Sequence, residues 1–218
     1  MDVVAFSRAR PGVTVVEVGA GTGNFLALFD RVASCSIAID LTPAMLLQAR
    51  GRYPELQLVA ANGNALPLAT GSIDLVTSAQ ALHHIPEPLP FLLEMRRVCS
   101  ANGRILVVDQ VAPERFEEAV AMSELETVRD PTHAVSRPPS ALLILLNAAG
   151  LKIVDERIVS KRQNLRDWMW PEEFPAARIA AVREFIERRG EQTGMDWKRE
   201  GDDLTYERRR IMLLAVPA

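Results

Sequence analysis

The chain has few of the residues that staple a fold, bind soft metals or cross a membrane. Its 218 residues include two cysteines, Cys35 and Cys99. Two thiols cannot form a disulfide framework and fall short of the four ligands of a structural zinc. Both stand in apolar stretches and read as core thiols in a reducing compartment, so a cytoplasmic protein is expected. No secretion signal opens the chain, and no apolar run reaches the roughly 20 residues of a membrane span. Charge of one sign is not in excess either: 25 lysines and arginines stand against 28 acids, a net of −3. That balance weighs against nucleic acid or an anionic membrane as the main partner. Histidine occurs only three times, at 83, 84 and 133. There is no internal repeat, no low-complexity tract and no G-x-x-x-x-G-K-[ST], which excludes a P-loop.

What remains is an ordinary globular composition, 48% hydrophobic and 24% charged, long enough for one α/β domain over 1–218. The stretch from Val13 to Asp40 organises it. Val13, Val15, Val16 and Val18 make a strand-length apolar run that ends in the turn Gly19-Ala20-Gly21-Thr22-Gly23. Phe25, Leu26, Leu28, Phe29 and Val32 follow with helical spacing, then Ile37-Ala38-Ile39 closes on Asp40. Strand, glycine turn, helix, strand and terminal acid form a βαβ unit with a ligand expected at the turn. A dinucleotide fingerprint requires G-x-G-x-x-G; here the third glycine falls one residue early and Asn24 takes its place. Glu17, two residues before the first glycine, would repel a pyrophosphate and suits a cation. The plain alternative is a tight turn with no ligand.

The E-x-G-x-G-x-G pattern of Glu17 to Gly23 resembles motif I of class I methyltransferases that use S-adenosylmethionine (SAM), and in particular the UbiE/COQ5-like small-molecule group. Asn62-Gly63-Asn64-Ala65-Leu66-Pro67 is similar to a second segment of that family, with Asn62 in place of its acid. The resemblance implies a Rossmann-like, doubly wound α/β fold: seven strands, mostly parallel, in the order 3-2-1-4-5-7-6, the last one antiparallel. It also implies the roles of the site. Glu17, Gly19, Ala20, Gly21, Thr22 and Gly23 would hold the methionine end of SAM, and Asp40 would accept the ribose hydroxyls. Leu41 and Met45 would flank the adenine, Asn62 and Gly63 would meet its edge, and Ser78 and Ala79 would lie by the sulfonium. No metal is required. The product would be S-adenosylhomocysteine and the acceptor a small molecule.

The other elements follow from pattern. Thr42-Pro43 starts a helix with Met45, Leu46 and Ala49 inward, and Leu56 to Val59 is a third strand. Ile73 to Ser78 is a fourth, and Pro88 opens a helix with Phe91, Leu92, Met95 and Val98 inward. Asn102-Gly103 turns into a fifth strand, Arg104 to Asp109. Beyond it lie helices at 114–128, 140–149 and 176–189, a strand at 151–159 and a final strand at 206–216. Segments 111–150 and 160–205 are expected on the acceptor side. Residues 1–12 are too few for the helices that cover the cofactor in this family: either the start is truncated, or another subunit, as in a homodimer, or the C-terminal region supplies the cover. Histidine is the ordinary proton acceptor near neutral pH, and His84 and His133 are the candidates for that role. Helix capping or simple lining of the pocket is the alternative. Trp168, Met169 and Trp170 are candidate acceptor walls or core, and Glu207-Arg208-Arg209-Arg210 reads as a solvated strand edge. Two rival functions stay open: a SAM-binding protein without transferase activity, and a NAD-dependent oxidoreductase.

Overall fold

The computed structural model describes residues 2–169, 174–201 and 203–218. The chain runs α1 (Val3–Ser7), β1 (Val13–Val18), a 3₁₀ turn (Leu26–Phe29), β2 (Ala33–Asp40), α2 (Pro43–Arg52), β3 (Gln57–Ala60) and β4 (Ile73–Ala79). A second 3₁₀ turn (Leu82–His84) leads to α3 (Pro88–Val98), β5 (Cys99–Gln110), α4 (Phe116–Arg129), α5 (Pro139–Ala148) and β6 (Leu151–Asn164). Then come α6 (Leu165–Trp168), α7 (Ala176–Arg189), β7 (Lys198–Glu200) and β8 (Asp203–Pro217). The strands form one sheet in the order β3-β2-β1-β4-β5-β8-β6, with the short β7 paired to β8 alone. β3 to β5 are mutually parallel. β8 enters antiparallel between β5 and β6. The expected order and inserted antiparallel strand are therefore present, with β7 as an eighth strand that the sequence pattern did not show.

Period-two alternation divides the core between the two faces of the sheet. Val16, Val18, Val107, Ile211 and Leu213 pack with Phe91, Leu92 and Met95 of α3 and Leu142 and Leu146 of α5. Val15, Leu106, Met212 and Leu214 pack on the other face with Phe6, Phe29 and Leu46. β8 pairs with β5 only through Arg210 to Ala215, so its first residues rise past the carboxyl edge of the parallel strands. There Leu204 and Tyr206 seed a third cluster with Met122 and Leu125 of α4, Trp168, and Val182 and Ile186 of α7. Among the described residues no helix is long and apolar enough to cross a membrane.

Three local expectations are corrected. The helix expected over Phe25 to Val32 is a 3₁₀ turn. Six residues of β1, at about 3.3 Å each, must be retraced in some nine residues before Ala33 pairs with Val13. An α-helix at 1.5 Å per residue falls short, and the steeper 3₁₀ rise with extended flanks reaches. Met45 is 41% exposed, so Leu46 and Ala49 alone form the inner face of α2. Asn102-Gly103 is no turn: β5 begins at Cys99 and bulges there, since Ile73 pairs with Cys99 but Leu75 with Arg104. A Cβ on Gly103 would stand 2.9 Å from the Ile73 and Asp74 carbonyls, so only glycine lets the strands approach.

Candidate active site

The carboxyl ends of β1 and β2 make the first wall of the site. The glycine turn leaves β1 with Gly19 at φ +75°, pressed so close to the segment that follows β4 that a Cβ would meet the Ala81 Cβ at 2.7 Å. Gly21 differs: a Cβ there would meet nothing within 4 Å, so the turn faces open space. Asp40 fastens this turn. Its Oδ2 accepts from the Gly21 N–H at 2.7 Å and its Oδ1 from the Thr42 N–H at 2.8 Å. Each oxygen keeps a second lone pair for hydroxyl donors. Beside it Leu41 is 70% exposed, and with Met45 it offers apolar surface to a planar ring.

Glu17 lies beneath the turn, 1% exposed, and accepts from the Leu26 N–H at 2.9 Å. Burial pushes its carboxyl well above the usual carboxylate range; the Leu26 N–H opposes this and the Asp40 charge adds to it. A buried carboxyl of this kind gains most from a cation placed near it. An open glycine turn, a diol-accepting acid, exposed apolar side chains and a buried acid together fit the parts of SAM. Ala20 and Gly23 are buried, and Thr22 is half-buried, accepting from Asn24 Nδ2 at 3.1 Å. Asn62 Oδ1 accepts from the Asn64 N–H at 2.9 Å and so shapes its own loop. Gly63 is a packing glycine as well, because a Cβ would stand 2.4 Å from the Phe91 ring. Its N–H finds no partner among the described residues. Ser78 is buried with its Oγ unpartnered, and Ala79 is half-buried beside it.

The second wall is the histidine group at the ends of β4 and β5. Asp109 Oδ1 lies 2.6 Å from His83 Nδ1 and also accepts from the Gln110 N–H at 2.7 Å. His83 in turn pins the break after α4, because its carbonyl accepts from the N–H groups of Ala134 and Val135 at 2.9 and 3.1 Å. This anchors the segment Asp130 to His133 against the second 3₁₀ turn. The rings of His83 and His84 lie 4.2 Å apart between centroids, and those of His83 and His133 5.7 Å apart. His84 Nδ1 is 3.1 Å from the Thr132 carbonyl. A carbonyl only accepts, so Nδ1 carries the hydrogen and Nε2 keeps a free lone pair. Burial and then the neighbouring His83 push His84 below its ordinary value, and the same causes take His133 down to about 4. Both histidines therefore belong to one cluster, with His84 open to solvent and His133 buried.

Asp109 was missed as a site residue, although its signal was present. It ends the apolar run Ile105 to Val108 as Asp40 ends Ile37 to Ile39. The aromatic wall resolves as core: Trp168 is 2% exposed and packs 5.0 Å from Tyr206, and Met169 is buried beside it. Trp170 and Pro171 lie outside the described residues. Among the described residues no three histidines, cysteines or acids converge on a metal position.

Residues 16–107 match the family model described as a methyltransferase domain. Those residues carry a methyltransferase domain. Over 107 residues it is 34% identical to a demethylmenaquinone methyltransferase of Renibacterium salmoninarum, covering 49% of this chain and 45% of that protein. A protein of the same name from Beutenbergia cavernae is 33% identical over 135 residues, 61% of this chain and 56% of the other. The chain thus spans about half the length of these curated relatives. The YcgJ protein of Bacillus subtilis shares this fold over 98% of this chain and 95% of its own, at a TM-score of 0.87 and 21% identity. A SAM-dependent methyltransferase of Mesorhizobium loti aligns over 99% and 98% at a TM-score of 0.62 and 17% identity. Domains of this class take SAM as cofactor, and the glycine turn with Asp40 is where these residues would hold it.

Proposed function

We propose that the chain transfers a methyl group from SAM to a small-molecule acceptor, with His84 receiving the proton that the acceptor atom gives up. The observation that carries this reading is the tautomer of His84: its Nδ1 is committed to the Thr132 carbonyl at 3.1 Å and its Nε2 is left as a base. SAM, when bound, supplies an electrophilic methyl whose bond to sulfur breaks with the electron pair remaining on sulfur. The protein's own part is placement and proton handling. Asp40 and the turn fix one end of the cleft, Leu41 and Met45 give it apolar flanks, and the buried strand ends of β4 and β5 keep water out. His83, held by Asp109, sets the position of His84 through the 3₁₀ turn they share. Asp109 would steady the positive charge that reaches the cluster when His84 takes up a proton.

We further propose a cytoplasmic protein with no nucleic-acid partner, on the balance of charge and the spare cysteine content; a homodimer is proposed as one way to close the cleft. The rival oxidoreductase is disfavoured by Glu17, which stands where a pyrophosphate would need donors, and by Asn24 in place of the third fingerprint glycine. Release of S-adenosylhomocysteine across a panel of hydroxyl, amine and carbon acceptors tests the proposal. Turnover that falls in His84→Asn while SAM affinity holds supports it. Tight SAM binding with no turnover of any acceptor would instead make the chain a SAM-binding protein.

A further inference from the structure

The run Glu207-Arg208-Arg209-Arg210 is only half the solvated edge that its sequence suggests. Strand alternation sends Arg209 outward, where it is exposed and paired with Glu207 at 3.2 Å. Arg208 and Arg210 take the other face, in line with buried Tyr206 and Met212. There they meet the residue that follows β4. Arg208 Nη2 donates to Gln80 Oε1 at 2.9 Å. Gln80 sits at φ +54°, a left-handed conformation costly for a side chain of its type, and its own N–H is held by the Val108 carbonyl at 2.8 Å. Gln110, the last residue of β5, pairs across the ladder with Arg210.

The hydrogen bonding of this group is incomplete in one direction only. Four buried side-chain polar atoms among the described residues have no partner, and three of them are here: Gln80 Nε2, Arg208 Nε and Arg210 Nε. All three are donors. Arg210 makes no side-chain hydrogen bond among the described residues, and burial with the Arg208 cation beside it takes it down to about 10. The local acid, Glu126, 2% exposed, lies 3.5 Å from Arg129 and also shares its field with Arg208, which leaves Arg210 without an acid of its own among the described residues. A cavity of about 10 Å³, roughly one water in size, opens beside Arg208 against Gln110, Glu126, Tyr206 and Glu207, and does not reach Gln80 or Arg210. Buried donors are ordinarily satisfied, and two half-buried cations on one strand face repel. What such a group lacks is an acceptor that carries negative charge.

We propose that Arg208, Arg210 and Gln80 form an oxyanion subsite for the methyl acceptor, which therefore bears a carboxylate or phosphate group. The planar guanidinium forks match both anions with paired N–H donors, and Gln80 adds a third donor from the end of β4. The subsite stands at the carboxyl edge of β4 and β5, the same edge as Ser78 and the His83–Asp109 pair, so an acceptor anchored there would present its far end to His84. Its assignment to the acceptor rests on the methyltransferase reading; its preference for oxyanions does not.

The test titrates inorganic phosphate and benzoate into the protein with and without S-adenosylhomocysteine, for the wild type, Arg210→Gln and Arg210→Lys, with circular dichroism confirming that each variant folds. Millimolar binding of at least one anion, weakened about tenfold or more in Arg210→Gln and partly restored in Arg210→Lys, supports the subsite. S-adenosylhomocysteine affinity within about twofold in both variants separates this from damage to the cofactor cleft. In the wild type, the side-chain Nε–H resonances of two arginines should shift with phosphate, a readout that needs no variant. No anion binding, or equal binding by Arg210→Gln, overturns the subsite and leaves the methyltransferase reading standing. Arginine-dependent anion binding without S-adenosylhomocysteine binding overturns that reading and keeps the subsite. An uncharged quinol methylated equally well by wild type and Arg210→Gln would also overturn the proposal.

Discussion

The two halves of this domain build their sites in different ways. From Val13 to Gln110 the cofactor wall is made of neighbours in sequence: a glycine turn, an acid 19 residues later, and backbone N–H groups that meet it. The proposed acceptor wall instead joins the ends of β4 and β5 to partners far along the chain: His84 with Thr132, 48 residues on, and Gln80 with Arg208, 128 residues on. A local site can be written as a motif because the chain needs only one turn to assemble it. A distributed site is assembled by β8 threading between β5 and β6, and no motif encodes that. The two walls should therefore fail separately, and each variant below is chosen to break one without the other.

The largest effect is expected at His84. His84→Asn should lower kcat by about 10²- to 10⁴-fold, the usual worth of a positioned general base, with SAM affinity unchanged. In the wild type, kcat should rise with pH and level off below the ordinary histidine range, because burial and His83 depress the His84 value. A pH profile that is the same in both proteins would remove His84 from proton transfer. Asp109→Asn should move the midpoint of that profile while leaving the SAM dissociation constant in place, since Asp109 acts through His83.

Asp40 breaks the other wall. Asp40→Ala removes the acceptor of the Gly21 and Thr42 N–H groups and leaves the diol contacts unmade. A loss of about 100-fold in SAM affinity is expected, equivalent to about 2.7 kcal/mol, by calorimetric titration. Equal SAM affinity in Asp40→Ala would mean that the cofactor lies elsewhere. The double variant with His84→Asn should show additive losses, because the two residues share no partner.

How much of this was legible follows from the same contrast. Glu17, Gly21 and Asp40 were readable because strand, turn and terminal acid are written in order, and the helix of α3 was readable because Phe91, Leu92, Met95 and Val98 all fall on one face. The 3₁₀ turn at Leu26–Phe29 was not, since apolar spacing reports which face is buried and not whether the segment is long enough to span the strand beside it. Arg208 and Arg210 were misread as solvated because the alternation of a strand can be read, but not what the far end of that strand meets. Segment Asp130 to His133 could not be placed from its own residues at all; its anchor is the backbone carbonyl of His83.

A smaller effect is expected at Glu17. Its carboxyl is raised well above the usual carboxylate range by burial, which favours the protonated form without SAM, and a bound ammonium nearby would favour the ionised form. SAM binding should then release a fraction of a proton, seen as a dependence of the apparent binding enthalpy on the buffer's ionisation enthalpy. Affinity should rise with pH over the same range. Glu17→Gln should abolish the buffer dependence. Persistence of the dependence in that variant would assign the proton to another group.

The smallest effect separates the walls by acid. His133 titrates near 6.5 in the unfolded chain and about 4 when folded, so between these values the unfolded state binds a proton that the folded state does not. Stability carried by neutral His133 is complete above pH 6.5 and is lost as the pH falls through about 4. The charge then appears in a buried place facing His83 and His84, so the segment that loosens first should be Asp130 to Ser136. The protection factors of its amides, corrected for the slower intrinsic exchange in acid, should fall on acidification while the Gly21 and Thr42 amides, held by Asp40, stay protected. His133→Asn should flatten the fall in Tm across that pH range and reduce the acid-induced loss of protection at Asp130 to Ser136. If its Tm falls with pH as steeply as the wild type's, His133 does not couple acid to the acceptor wall, and the carboxylates of the cluster carry that dependence instead.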